Sequence, residues 1–279
     1  MKIKLNKDER IDDLEIKNMK IIQNKNGFCF GIDSVLLSDF AKEIKDSARV
    51  ADLGTGTGIL GILLCAKTNL SEIIGIEIQE EVAEMAQRSI KLNHLENKFK
   101  ILNINIKEII NKKNNTKFDK RINNKNKLDD EKIKKENRKI NLILEKNSFD
   151  YVVMNPPYKK INTGKVNDNE KKLISRHEIT ANLEDFIETA NYLLKDKGTL
   201  FMVHRPNRLV DILEKLRKAK IEPKEIRFVY PKINKEPNLI LIKGVKNARE
   251  FLKIDKPLYI YQEDGSYTDK ILEIYQKNK

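Results

Sequence analysis

The chain of 279 residues is 35% charged, carries a net charge of +13 and has a pI near 9.4. No apolar run approaches the ~20 residues needed to cross a bilayer, and the opening MKIKLNKDER lacks the apolar middle of a signal peptide. These features set aside a helical membrane protein and lead us to expect a cytoplasmic one, while two cysteines (Cys29, Cys65) and three scattered histidines show neither disulfide nor metal-ligand spacing.

The positive charge has two readings. It suits a polyanionic partner, but residues 107–148 alone hold 14 Lys/Arg against 7 Asp/Glu, and the chain is rich in Lys, Asn and Ile throughout, which codon bias also produces.

In chain order, residues 15–31 (EIKNMKIIQNKNGFCFG) alternate around an Asn-Gly pair and predict a short hairpin. DSVLLSDFAK follows, with Asp33 and Ser34 as cap candidates for a helix. From there strands and helices alternate. ARVADLG (48–54), EIIGIEI (72–78), FKILNIN (99–105), FDYVVMN (149–155) and GTLFMVH (198–204) read as strands. TGILGILLCAK, QEEVAEMAQRSIKLN, LEDFIETANYLLK and RPNRLVDILEKLRKAK read as helices between them. KEIRFVY and PNLILIKG close around PKINKE as an antiparallel pair, and the tail EDGSYTDKILEIYQK reads as a glycine turn before a short helix capped by Thr or Asp. The pattern specifies a doubly wound α/β fold: a seven-stranded, mostly parallel Rossmann-like sheet with an antiparallel edge. The expected organisation is an N-terminal hairpin and helix (1–47), a catalytic domain (48–245) carrying a loose insertion at about 107–148, and a C-terminal extension (246–279).

VADLGTGTGILGILL places Asp52 at a strand end and Gly54, Gly56 and Gly58 in the turn that opens a helix. A dinucleotide fold uses G-x-G-x-x-G around a pyrophosphate; here the order is G-x-G-x-G after an acidic residue. A carboxylate aimed into a partly desolvated crevice repels a diphosphate and suits a cation. S-adenosylmethionine, with its sulfonium and ammonium, fits. Glu77 ends the next strand, where its carboxylate accepts ribose hydroxyl protons, with Ile78 against the adenine face and Asn105 at the adenine edge.

VADLGTGTG and GIEIQ, followed by NPPY at the end of the fourth strand, resemble the class I S-adenosylmethionine-dependent methyltransferases, in their amino-methylating branch. The segments GFCFGIDSVLLSDF, SRHEIT and HRPNRL make the chain similar to the bacterial enzymes that methylate adenine N6 at position 37 of a valine tRNA. The resemblance covers roughly residues 28–245 apart from the insertion, and implies that the FGIDS segment, through Phe30 and Asp33, folds over the methionine end of the cofactor. Asn105 departs from the pattern, in which aspartate is commoner.

An exocyclic adenine amine is a poor nucleophile because its lone pair is delocalised into the ring. Asn155 and the backbone carbonyl of Pro156 offer two acceptors for its protons, Pro156 and Pro157 fix the direction of the corner, and Tyr158 offers an aromatic face to the base. Direct transfer of this kind needs no metal. Lys159, Lys160, Lys165, Arg176 and His177 after the motif, with Arg205 and Arg208 after the fifth strand, are candidate RNA contacts, or simply solvated loop charge. A tRNA partner and a monomer are the expectation. The alternatives are a glutamine N5-methyltransferase of release factors, an adenine or guanine methyltransferase on other RNA or DNA, and a non-catalytic RNA-binding scaffold.

Overall fold

A computed structural model of the chain describes residues 3–25, 31–111, 138, 140–158 and 181–276. A nine-stranded sheet forms its centre. Seven strands correspond to those expected: β3 (Arg49–Leu53), β4 (Glu72–Glu77), β5 (Phe99–Asn103), β6 (Phe149–Met154), β7 (Leu194–His204), β8 (Ile221–Tyr230) and β9 (Leu239–Lys246). Their order across the sheet is β8-β9-β7-β6-β3-β4-β5, and β9 alone runs antiparallel to its neighbours. Two short strands, β10 (Lys253–Ile254) and β11 (Leu258–Tyr259), add to the outer edge of β8. Chain order reverses beside β3, so the carboxyl ends of β3 and β6 border the crevice where α/β sheets bind ligands.

The strands read as continuous apolar runs because helices cover both faces. On one face lie α1 (Ile32–Phe40), α2 (Ile59–Lys67) and α3 (Glu80–Leu92), packed through Leu36, Leu63 and Ile90 against Val50, Val153 and Phe201. On the other lie α4 (Ile106–Asn111), α5 (Leu183–Leu193) and α6 (Leu209–Lys218), packed through Ile109, Ile187 and Ile212 against Leu53, Ile76 and Met154. Asn182 caps α5 with a reciprocal capping box to Asp185, and Thr268 caps the C-terminal helix α7 (Asp269–Ile274) by accepting from the Ile271 N–H.

The N-terminal hairpin differs from the expectation. It pairs β1 (Glu9–Asp13) with β2 (Lys20–Asn24), and its turn is made by Glu15, Lys17 and Asn18 at positive φ, upstream of the Asn26-Gly27 pair, which lies outside the described residues. Burial explains the shift: Leu14 and Ile16 anchor the turn in the core. The hairpin docks on α3, where Asn93 and Ser89 bond the backbone of Lys20 and Ile22. Arg88 grips Glu9 with two bonds of 2.6 Å.

Hydrogen bonding from Arg88 holds the Glu9 carboxyl down at about 2, although burial opposes it. A depressed carboxyl pKa adds stability that is complete above the unfolded value near 4.5 and is lost as pH falls towards 2. Arg88→Ala strands this charge and is expected to cost about 3 kcal/mol at pH 7, and less at pH 3. Urea midpoints at the two pH values check this.

The described ends of the 107–148 stretch belong to the fold, contrary to a wholly loose insertion. Ile109 of α4 and Leu144 are buried, and the Arg49 guanidinium donates to the Ile143 carbonyl at 2.7 Å. Residues 112–137 lie outside the described residues. Strand β7 also begins earlier than expected, directly from the end of α5, with Lys197 at positive φ and a register shift against β6 between Phe149 and Tyr151.

Candidate active site

Asp52, the penultimate residue of β3, is buried, and the Thr55 hydroxyl donates to its Oδ2 at 2.6 Å. The N–H groups of Gly54 and Thr55 both donate to the Ile76 carbonyl, which folds the turn onto β4. Gly56 has φ +57, and a Cβ there would meet nothing within 4 Å: the turn presents bare backbone to open space. Any side chain would be strained at that φ and would fill the approach to the turn.

Glu77 is buried and ties the turn to the next helix. Its Oε2 accepts from the Gly56 N–H at 3.0 Å and its Oε1 from the Gln79 N–H at 2.9 Å. Burial raises the Asp52 carboxyl to about 7; the Thr55 hydrogen bond opposes the rise and the neighbouring Glu77 charge adds to it.

A cleft runs from Gly54 and Glu77 past Ile78, Ile104, Asn105 and Ile106 to Ala181, Phe186 and Pro157. Its walls are largely apolar, as an aromatic ligand requires. The Asn105 Oδ1 accepts from the Lys107 N–H at 3.0 Å at the start of α4, a cap that aspartate would make equally well.

Pro157 joins this cleft to the NPPY corner. Register places the corner beside the end of β7, since Met154 pairs with Met202. Pro156 is buried, while Asn155 and Tyr158 are half-buried. The Tyr158 hydroxyl lies 2.7 Å from the Asp33 Oδ2 and 2.7 Å from the Asn155 side-chain oxygen. Its ring, read from sequence as a platform for a base, has the Arg205 guanidinium 5.0 Å above its centroid and the His204 ring 5.1 Å away.

Arg205 also donates to the Asn238 carbonyl, and Arg208 pairs with Asp211 at 2.7 Å. Phe30, Lys159, Lys160, Lys165, Arg176 and His177 lie outside the described residues. Sequence reasoning missed Thr55, Phe186 and His204. His204 is fully buried, accepts the Arg205 N–H at Nδ1, and its Nε2 has no partner among the described residues. Burial lowers its pKa to about 4, so the ring is neutral at pH 7. Only the T of GTGTG and the H of HRPNR were available as signals.

Residues 71–234 match the family described as Eco57I restriction-modification methylase, more than half of the chain. The chain belongs to that methylase family. Among curated relatives of this methylase, the tRNA1(Val) (adenine(37)-N6)-methyltransferase of Haemophilus influenzae is 26% identical over 259 residues, covering 92% of this chain and 94% of the relative. The enzyme of the same name from Parabacteroides distasonis is 24% identical, with 82% and 81% covered. Among solved structures, a predicted O-methyltransferase of Agrobacterium tumefaciens superposes with TM-score 0.61 at 20% identity, covering 88% of this chain and 96% of that one. M. jannaschii TYW2 in complex with AdoMet gives 0.51 at 14% identity, with 87% and 88% covered. At these identities the structures establish the methyltransferase fold.

Among the described residues of the methylase, no group of His, Cys, Asp or Glu is placed to hold a metal ion, and no helix is long and apolar enough to cross a membrane.

Proposed function

We propose that the chain transfers a methyl group from S-adenosylmethionine to the exocyclic N6 amine of an adenine in tRNA, at position 37 of a valine tRNA. The observation that carries this reading is the single cleft joining the glycine turn and Glu77 to Pro157, with Asn155 two residues before it. The family description names restriction-modification enzymes, which suggests DNA. RNA is favoured because the relatives matched nearly end to end are named for tRNA, and because an anticodon loop already presents unstacked bases.

The residues present fit the methyl donor. The bare Gly56 backbone and the helix N-terminus beyond Gly58 would admit its methionine end, Asp52 would face its ammonium, and Glu77 would accept from its ribose hydroxyls. Ile78 would cover the adenine, with Asn105 at its edge, and Phe30 would close the methionine side, while Asp33 is engaged by the Tyr158 hydroxyl. When bound, the donor supplies an electrophilic methyl on sulfur. The chain's own contribution is placement. Asn155 and the Pro156 carbonyl accept the two amine protons of the target base, which localises the nitrogen lone pair towards the methyl carbon. Prolines 156 and 157 hold that corner without a flexible torsion. Lys159, Lys160, Arg176 and His177 would contact the RNA backbone, while Arg205 and Arg208 are held by the Tyr158 ring and by Asp211.

Deleting the gene and analysing tRNA nucleosides by mass spectrometry tests this reading. Loss of N6-methyladenosine from one valine tRNA is expected; an unchanged nucleoside profile would contradict it.

Asp52 makes donor binding depend on pH. The cationic donor favours the ionised carboxylate, so affinity is expected to fall about tenfold between pH 8 and pH 6. The sign for the free protein is opposite. A carboxyl raised from 3.8 to about 7 contributes stability that is present below 3.8 and lost as pH rises through 7. Calorimetry across this range checks the first statement, and Asp52→Asn should flatten the profile.

A further inference from the structure

We propose that Asp33 is a positioning residue for the transfer: it accepts the hydrogen bond of the Tyr158 hydroxyl and so turns the Asn155 amide, leaving the amide oxygen free for the incoming amine. The inference rests on the amine-methylating reading above and adds a device that sets the corner before substrate arrives.

The geometry poses a problem in counting protons. A phenol has one proton, yet the Tyr158 hydroxyl has two oxygens at 2.7 Å, one on the Asp33 carboxylate and one on the Asn155 amide. Burial, and after it the negative charge of Asp33, raise the pKa of Tyr158, so the phenol keeps its proton. A carboxylate is the stronger acceptor, because a hydrogen bond to a charged group is roughly twice as strong as one between neutral groups. The proton therefore lies on the line to Asp33.

The phenol oxygen then offers only lone pairs to Asn155. An amide oxygen facing it at that distance would set lone pair against lone pair. The nitrogen and oxygen of an asparagine exchange by a half-turn with no change of shape, and the hydrogen-bond network decides which faces where. Asn155 consequently donates its Nδ2–H to the phenol oxygen and aims its own oxygen away. Among the described residues that amide has no other hydrogen bond. Were the phenol proton on Asn155 instead, the acceptor needed by the amine would be occupied.

The surroundings keep the three groups in place. Asp33 lies in the first turn of α1, 125 positions from Tyr158, and a Cβ on Gly31 would come within 2.4 Å of its Oδ1, so the carboxylate is seated against bare backbone. Arg205 and His204 hold the Tyr158 ring, leaving the hydroxyl little freedom to swing.

Two measurements test the proposal. The first compares kcat at saturating S-adenosylmethionine, on a valine tRNA transcript, for Asp33→Ala, Tyr158→Phe and the double variant, with donor Kd measured separately. Asp33→Ala leaves Asn155 as the phenol's only acceptor among these three groups and is expected to lower kcat by ~10-fold or more, with Kd within ~3-fold. Adding Tyr158→Phe removes the competing proton, so the double variant should recover to the level of Tyr158→Phe alone. Losses that multiply, or an Asp33→Ala variant that loses donor affinity at unchanged kcat, would overturn the assignment. The second is a neutron structure of the wild-type protein. A deuteron on the Tyr158 oxygen aimed at Asp33, with the Asn155 nitrogen facing that oxygen, supports the proposal; a deuteron aimed at Asn155 overturns it. The neutron result stands even if the RNA goes unmethylated, a failure that would count against the proposed function.

Discussion

Asn155→Ala is expected to lower kcat by roughly 10²–10³-fold while donor affinity stays within about threefold, the scale for removing one preorganised hydrogen bond to a transition state. The two effects separate because the glycine turn is built without Asn155. Gly54 and Thr55 bond to Ile76, Gly56 and Gln79 bond to Glu77, and Asp52 bonds to Thr55. Asn155 stands on the neighbouring strand end and touches Tyr158. Rapid-quench transfer assays beside calorimetric donor binding distinguish the outcomes. Parallel loss of both would mean that Asn155 supports the cofactor turn.

The second large effect is on the scaffold beneath that turn. A Cβ on Gly61 would come within 2.3 and 2.4 Å of Phe99 ring carbons, and that ring is fully buried. Gly61→Val is therefore expected to destabilise the protein by about 3 kcal/mol or more, since α2 cannot retreat from β5 without opening the core. A drop in Tm of roughly 6–12 °C corresponds to that cost in a chain of this size. A Cβ on Gly58 would lie 3.4 Å from the same ring, so displacing the ring also disturbs the turn that opens α2. Phe99→Leu in the same chain should recover at least ~1 kcal/mol of the loss, because residues in contact couple. A Gly61→Val protein that melts with the wild type would show that the helix and strand are not in close contact.

Much of this architecture is legible in the sequence, for identifiable reasons. The parallel strands are buried on both faces, so VADL, IIGIE and YVVM appear as apolar runs bounded by turn residues, and the glycine turn declares itself by spacing. The hairpin was less legible. Its turn uses Glu15, Lys17 and Asn18 at positive φ, residues with no glycine to mark them, and its position is fixed by docking on Ser89 and Asn93. The early start of β7 was hidden for a similar reason: Lys197 at positive φ breaks the local pattern, and pairing with β6 supplies the strand.

At the site, Asp52, Glu77 and the NPPY corner stood out because their chemistry follows from local order. Their couplings did not. The bond between Asp33 and Tyr158 spans 125 positions, and the buried His204 gained its place from the register of β7 on β6. Arg205 illustrates the same limit, since a cation after a strand reads as a phosphate contact until the fold sets it over an aromatic ring.

The atom that receives the methyl group separates amine methylation from every other reaction of this fold. Incubating the purified protein with valine tRNA transcript and S-adenosylmethionine bearing a CD3 group, then digesting to nucleosides for mass spectrometry, reads that atom directly. The label is expected on the exocyclic nitrogen of one adenosine. Label on a ring nitrogen or a ribose oxygen, or none in the RNA, would contradict it.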